Sequence, residues 1–534
     1  MIMLRSGLSF LGQRTGLVAV PKETPKAVAM AFPTADEFEQ QLCRTAGMAC
    51  YGGADLKECL VVAAQITPND HDSWYTAWNK MADRLFEEGK VTLEAGNPFA
   101  AKSLLMRSAN YHRTAGFFLR GNFQDERLIC VTQRAEDAWA LLLPSLGASE
   151  VRIPFKGDGL RASVFTKGNT IKGTLFKAAA PPHGFRTSPL VIGLPGYDGQ
   201  TQEDHFYNRP FLDAGCHVLV LSSPGRGAEA ILDYGPQMRP DEETTVSSAI
   251  DWALGEGGFK LKDGLVVYGC SLGGHFATRS MLYEHRPTLY VLDPPNYSMR
   301  EMVMARLPGP LRQRYQSEVA SLPRKTEGAW AATPPRTPIS EEGLLARTIY
   351  AVVQRKMAFI GALKANMHGI QTHDPNIGID AYLREVCRYH TSPEDYKTMT
   401  KVRGHRSLHI PPPPFPPPPS PPPPLPHRRP HRGPHRGPRR LPHRLPLSLH
   451  CPCSLQVPAI LVDPENEPIA VTPKPDGTSE HHAHTLLPLL PEGSVVVQGT
   501  AADGCDDHCF GGARLAFGEK VSSHMLPMLQ KLLA

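Results

Sequence analysis

The sequence predicts an α/β protein: a mostly parallel sheet flanked by helices, with an N-terminal all-helical domain in front of it. Three observations carry this. Residues 36–147 repeat apolar side chains at helical spacing without alternating runs, with Trp74, Trp78, Met81 and Leu85 at i, i+4, i+7 and i+11 on one face. Beyond Ser149, short apolar runs alternate with helical windows, the texture of strand–helix–strand units. Several of those runs are apolar on both faces, as strands covered by helices on both sides must be.

The elements follow in order. Residues 1–35 form a leader in which Arg5, Arg14, Lys22 and Lys26 face one acid, Glu23, the composition of an organellar transit peptide or of an unstructured start. Residues 36–147 form the helical domain; its aromatic stripe is read as packing, with the alternative that some of it roofs a pocket. Residues 148–400 open the α/β domain. Strands are expected at Val151–Phe155, Leu160–Phe165, Pro189–Leu194, His217–Leu221, Leu265–Tyr268 and Leu289–Leu292, with helices at Glu242–Leu254 and Gly274–Tyr283. Residues 401–454 carry PPPPFPPPPSPPPPLP and an HR-rich continuation. Such a run cannot donate ladder hydrogen bonds or hold helical dihedrals, so it is a polyproline II or disordered insertion. Residues 455–534 complete the domain with strands at Ala459–Val462 and Val495–Gln498 and a helix over about Gly512–Leu533.

Composition bounds the function. The 534 residues exceed the roughly 150 of a typical domain, and 41% hydrophobic with 20% charged residues is a globular balance. No apolar run approaches the ~18 residues a spanning helix needs. The net charge of +5 is misleading, because ten of the 57 Lys and Arg fall between Lys401 and Val462, where there is no acid; the remainder holds 47 against 52. A slightly acidic globular part argues against a nucleic-acid partner. The eleven cysteines are scattered without repeated Cys-x-x-Cys spacing, which points to a reducing, cytoplasmic setting, with an organelle as the alternative from the basic leader. Cys505 and Cys509 flank His508, but no second ligand pair stands at metal-site spacing, so no metal is expected.

Chemistry enters at Gly269-Cys270-Ser271-Leu272-Gly273. The G-x-S-x-G pattern alone is common, but here it follows an apolar strand and opens a helical window, the arrangement of a nucleophile elbow. A serine hydroxyl is a weak nucleophile at neutral pH and needs a base, which in turn needs an acid to fix its tautomer. His508 lies between the last strand and the final helix, where the base belongs, whereas His481, His482 and His484 precede that strand. The acid falls in Asp463-Pro464-Glu465-Asn466-Glu467, directly after a late strand. Glu467 is favoured, with Asp463 and Glu465 as alternatives. The oxyanion hole needs backbone donors. Leu272, just past the nucleophile, supplies one, and Gly196 or Tyr197 in Pro195-Gly196-Tyr197-Asp198-Gly199 supplies the other.

The segments DSWYTAW from Asp72 and SANYHR from Ser108, joined to LPGYDG, GCSLGG and DDHCFGGA, resemble the α/β-hydrolases with an N-terminal helical cap, a group that includes 2,6-dihydroxypseudooxynicotine hydrolase and fungal polyketide-shortening pigment hydrolases. The resemblance covers about residues 36–400 and 455–534. It implies an α/β-hydrolase fold and a Ser-His-acid triad mapping to Ser271, His508 and Glu467, with glutamate where the family commonly carries aspartate. It also implies cleavage of a C–C bond next to a carbonyl, or of an ester, in a small aromatic or polyketide-like metabolite. No cofactor follows from it, and pairing of two copies through the cap does. A general carboxylesterase or acyl-peptide hydrolase would use the same residues. The non-enzymatic alternative is an inactive hydrolase-fold scaffold.

Overall fold

The computed structural model describes residues 31–32, 36–155, 170–232, 238, 240–305, single positions between 386 and 396, 457–464, 471–473, 479–499 and 514–534. The leader before residue 31, the Leu160–Phe165 run and the proline-rich insertion lie outside these.

The helical domain contains α1 (Asp36–Gly47), α2 (Leu56–Ala63), α3 (His71–Glu94), α4 (Pro98–Gly116) and α5 (Glu126–Leu142). Their starts are written in the sequence. Asp55, Asp70, Asn97 and Asp125 each accept a backbone N–H from the first turn that follows, satisfying donors a helix cannot pair internally, and Pro98 opens α4 where its missing N–H costs nothing. Helix α3 packs along α4, and α4 along α5. The aromatic stripe turns inward: Trp74 and Trp78 are fully buried with Phe38, Tyr111 and Phe118, and the Trp74 indole N–H donates to the Thr114 carbonyl at 2.9 Å. Met81, also on the stripe, is only partly buried.

An eight-stranded sheet follows, built from β1 (Ala148–Pro154), β2 (Thr170–Phe176), β3 (Leu190–Leu194), β4 (His217–Ser222), β5 (Leu265–Cys270), β6 (Leu289–Asp293), β7 (Ala459–Pro464) and β10 (Val495–Gly499). Its order is β1-β2-β4-β3-β5-β6-β7-β10. The pairs β1/β2 and β2/β4 are antiparallel and the rest are parallel, with Ile192 facing Leu219 on one side and Val267 on the other. Every residue of β3, β5 and β6 is buried, which is why these strands read as unbroken apolar runs.

Helices α6 (Thr201–Asp213), α7 (Glu229–Leu232), α8 (Glu243–Leu254), α9 (Leu272–Ser280), α10 (Met299–Ala305), α11 (His482–Leu486) and α12 (Arg514–Leu533) lie between or after the strands, and β8 (Val471–Pro473) pairs with β9 (Ser479–His481) as a separate ribbon. Several elements escape the sequence reading, among them β2 and α6, along with the short α7, α10, α11, β8 and β9. Strand β2 alternates Lys172 and Thr174 with small and apolar residues, and α6 is polar and contains Pro210. Glu203 and Asp204 in the first turn of α6 suit the positive end of its dipole.

Candidate active site

Strand β5 ends at Cys270 and α9 begins at Leu272, so Ser271 alone makes the turn between them. It does so at φ 56°, ψ −118°, a backbone region that side chains rarely adopt. Its N–H donates to the Asp293 carbonyl at the end of β6, 2.6 Å away, and its carbonyl accepts from Gly274 at 2.8 Å. The flanking glycines are obligatory by contact. A Cβ at Gly269 would stand 2.1 Å from the Gly273 carbonyl oxygen, and one at Gly273 would stand 2.2 Å from that of Leu194. The turn is therefore closed against both the helix and the end of β3.

The loop after β3 lies on the serine. A Cβ on Gly196 would sit 3.3 Å from the Ser271 Cβ and 3.7 Å from its Oγ, so the bare backbone of Gly196 borders the hydroxyl. Leu272 occupies the first position of α9, among the amides a helix leaves without an internal acceptor. A buried pair fixes the loop from beneath. Arg226 donates from Nη1 to the Pro195 carbonyl at 3.1 Å, ion-pairs with Glu242 through Nη2, and stacks over Phe276 with 4.5 Å to the ring centre. Both members of the pair are fully buried.

His508, Glu467 and the alternative Glu465 lie outside the described residues, as do Cys505 and Cys509. Asp463, the other candidate acid, stands at the end of β7 and is buried, with its carboxylate already engaged. One oxygen is 2.7 Å from His481 Nδ1; the other accepts from Gln498 Nε2 at 2.8 Å and is 3.1 Å from His484 Nε2. Burial alone would raise the Asp463 pKa, but these hydrogen bonds outweigh it and hold it below the ordinary carboxylate range. His481 and His484 thus have partners that no local sequence pattern announces. Among the described residues no cluster of three or more His, Cys, Asp or Glu is arranged to hold a metal.

Ion pairs join the helical domain to the sheet domain beside this loop. Arg44 on α1 grips Glu203 of α6 with Nε and Nη2, at 2.6 and 2.5 Å, and reaches Asp198 with Nη1 at 2.9 Å. Burial opposes charge on Arg44, yet Asp198 and Glu203 overcome it and hold its pKa well above the ordinary value. Tyr197 packs against both the helical core and the sheet core, so the loop after β3 sits at the meeting of the two domains.

A strand, a one-residue serine turn and a helix at the fifth position of such a sheet define an α/β-hydrolase fold, here carrying an N-terminal helical cap. In line with this, the chain aligns structurally over 90% of its length with 96% of 2,6-dihydroxy-pseudo-oxynicotine hydrolase, at a TM-score of 0.53 and 14% identity. In sequence it resembles fungal proteins described as hydrolases: hydrolyase poxO of Penicillium oxalicum (30% identical over 47% of this chain and 58% of the relative), hydrolase LUC6 of a Fusarium species (31%, over 46% and 57%) and hydrolase ORFZ of Pyricularia oryzae (30%, over 50% and 63%). The alignments thus span about three-fifths of these relatives' length. No family model matches the chain. Among the described residues, no helix is long and apolar enough to cross a membrane.

Proposed function

We propose that the protein is a serine hydrolase that cleaves a C–C bond next to a carbonyl, or an ester, in a small aromatic or polyketide-like metabolite. Ser271 Oγ attacks the carbonyl carbon. His508 takes the hydroxyl proton and returns it to the leaving group, while Glu467 orients the His508 ring. The amides of Leu272 and of Gly196 or Tyr197 stabilise the oxyanion. Water then releases the acyl group from Ser271. The observation that carries this reading is Ser271 alone on the β5–α9 turn, with the Gly196 backbone against its hydroxyl. The helical cap closes over the site, excludes bulk water and selects the acyl group. We also propose a cytoplasmic location and a homodimer paired through the cap.

A fluorophosphonate probe tests the nucleophile. It should label Ser271 in the folded protein, and labelling should vanish in Ser271→Ala and His508→Ala. Unlabelled folded wild type would favour an inactive scaffold. A panel of β-diketones beside p-nitrophenyl esters and aminoacyl amides then separates C–C cleavage from ester and peptide hydrolysis.

A further inference from the structure

Next to the loop after β3, among the described residues, three guanidinium groups meet buried carboxylates at the boundary between cap and sheet domain. Arg44, Arg113 and Arg120 come from the cap, and Asp198 and Glu203 face them. A third carboxyl, Asp204, stands beside them: burial, reinforced by the charges of Glu203 and Asp198, pushes its pKa well up against the pull of Arg44 and Arg226. Glu37, partly buried near the start of α1, acts on Tyr197.

The three guanidinium groups are not equivalent. Arg44 is saturated by Glu203, Asp198 and, at 3.3 Å, Gln41. Arg113 bonds through Nη2 to Asn110, Thr114 and Thr45; its Nε and Nη1 have no hydrogen-bond partner among the described residues, but Nη1 stands 3.5 Å from Glu203 and the side edge is already engaged through Nη2. Arg120 is only 3% exposed and lies over the Phe123 ring, and its Nε and Nη2 have no hydrogen-bond partner among the described residues. Those two atoms form the side edge of the guanidinium, the same edge with which Arg44 takes both oxygens of Glu203. A buried, unfilled edge of this kind matches one planar anion with two oxygens, and a carboxylate is that anion. Asp198, whose charge bears on Arg120, belongs to the loop whose Gly196 borders Ser271.

We propose that Arg120 binds a carboxylate carried by the substrate, so that the enzyme prefers acid-bearing carbonyl compounds; this rests on the serine hydrolase reading. The binding group is a specificity element beside the reaction centre and takes no part in bond making.

Two paired measurements on the full chain test this. In the first, kcat/KM for p-nitrophenyl hemiglutarate should exceed that for p-nitrophenyl valerate by roughly ten- to a hundredfold, the span expected of hydrogen bonds to a charged group. Arg120→Gln should abolish the preference while leaving the neutral ester within about twofold of wild type, since only the carboxylate contact is removed. Arg120→Lys should keep part of it. A preference that survives Arg120→Gln, or equal losses on both esters, overturns the proposal. In the second, glutarate and glutaramide are titrated calorimetrically. Glutarate alone should bind, and Arg120→Gln should abolish its binding, whether or not either ester is turned over. Should neither ester react, glutarate binding would uphold the carboxylate site while the hydrolase reading falls; no glutarate binding overturns the site itself. Because Arg120→Gln removes an unpaired buried charge, the variant should melt no lower than wild type, and a clearly lower melting temperature would make the arginine structural.

Discussion

Arg44 and Glu203, 159 positions apart in sequence, meet through both carboxylate oxygens and tie the first cap helix to α6. Glu203 is fully buried and Arg44 partly so, so the contact is shielded from salt and water in a way a surface pair is not. Lysine cannot reproduce it, because an ammonium has no planar fork to meet two oxygens at once. Arg44→Lys should therefore cost about 2 kcal/mol in urea unfolding, the scale of lost hydrogen bonds to a charged partner. Hydrogen exchange should locate the loosening in residues 36–47. Unchanged protection in α1 would show that the cap is held by its apolar contacts instead.

Gly196 offers a way to separate fold from chemistry. A methyl group at this position would lie 3.3 Å from the Ser271 Cβ and 3.7 Å from Oγ, tight but not impossible for the fold. It would, however, occupy the space beside the hydroxyl that the proposed mechanism assigns to the developing oxyanion. Gly196→Ala should lower kcat on the order of a hundredfold, as the loss of one oxyanion donor does, with little change in melting temperature. Gly273→Ala, whose Cβ would meet the Leu194 carbonyl oxygen at 2.2 Å, should instead fail at the level of folding.

The Arg226–Glu242 pair makes a similar separation possible one layer deeper. Removing one partner strands a buried charge, so Arg226→Met should cost roughly 3–5 kcal/mol in denaturant unfolding. The double variant Arg226→Met, Glu242→Leu should recover most of that loss, because paired buried charges can be exchanged for apolar groups at little net cost. Activity should not recover with it: the Pro195 carbonyl loses its donor in both variants, and the loop beside Ser271 is no longer pinned. Full recovery of kcat in the double variant would show that Arg226 does not position the loop.

How much of this was legible in the sequence depended on the range of the interaction concerned. The G-x-S-x-G turn was, because its glycines stand two residues either side of Ser271 and Gly269 is pressed directly against Gly273, and so were β3, β5 and β6, whose burial on both faces writes itself as continuous apolar runs. Strand β2 was not, since it lies toward the antiparallel edge and Lys172 reaches out to Glu136, breaking the apolar run. Helix α6 was hidden for the opposite reason. Its buried face is polar, with Gln202, Glu203, Asp204 and His205 all inside, and only their partners from the cap and the sheet explain it. The links from Arg44 to Glu203 and from Asp463 to His481 pair residues 159 and 18 positions apart, which no periodicity records.

His275 gives the pH dependence a definite sign. It lies on α9, fully buried, with Nδ1–H donating to the Asn296 carbonyl at 2.8 Å, and burial pushes its pKa down to about 3. In the unfolded chain the ring titrates near ~6.5. Below that value the unfolded state binds a proton that the folded state refuses, so the stability owed to the neutral ring is complete above pH 6.5 and drains away as the pH falls toward 3. The slope from this one group is about 1.4 kcal/mol per pH unit. His205, also buried and pushed down to about 3, acts in the same direction, while Asp204, whose pKa burial raises, acts in the opposite one. Both remain in a His275→Asn variant, whose amide N–H can take over the bond to Asn296, so the difference between wild type and variant isolates His275. Urea unfolding at pH 7, 6 and 5 should show the wild type losing stability faster than the variant on acidification, with the two curves parallel above pH 7. Curves that stay parallel down to pH 5 would mean that the imidazole accepts a proton in place and that the space around Asn296 is wetter than the packing of α9 against β6 allows.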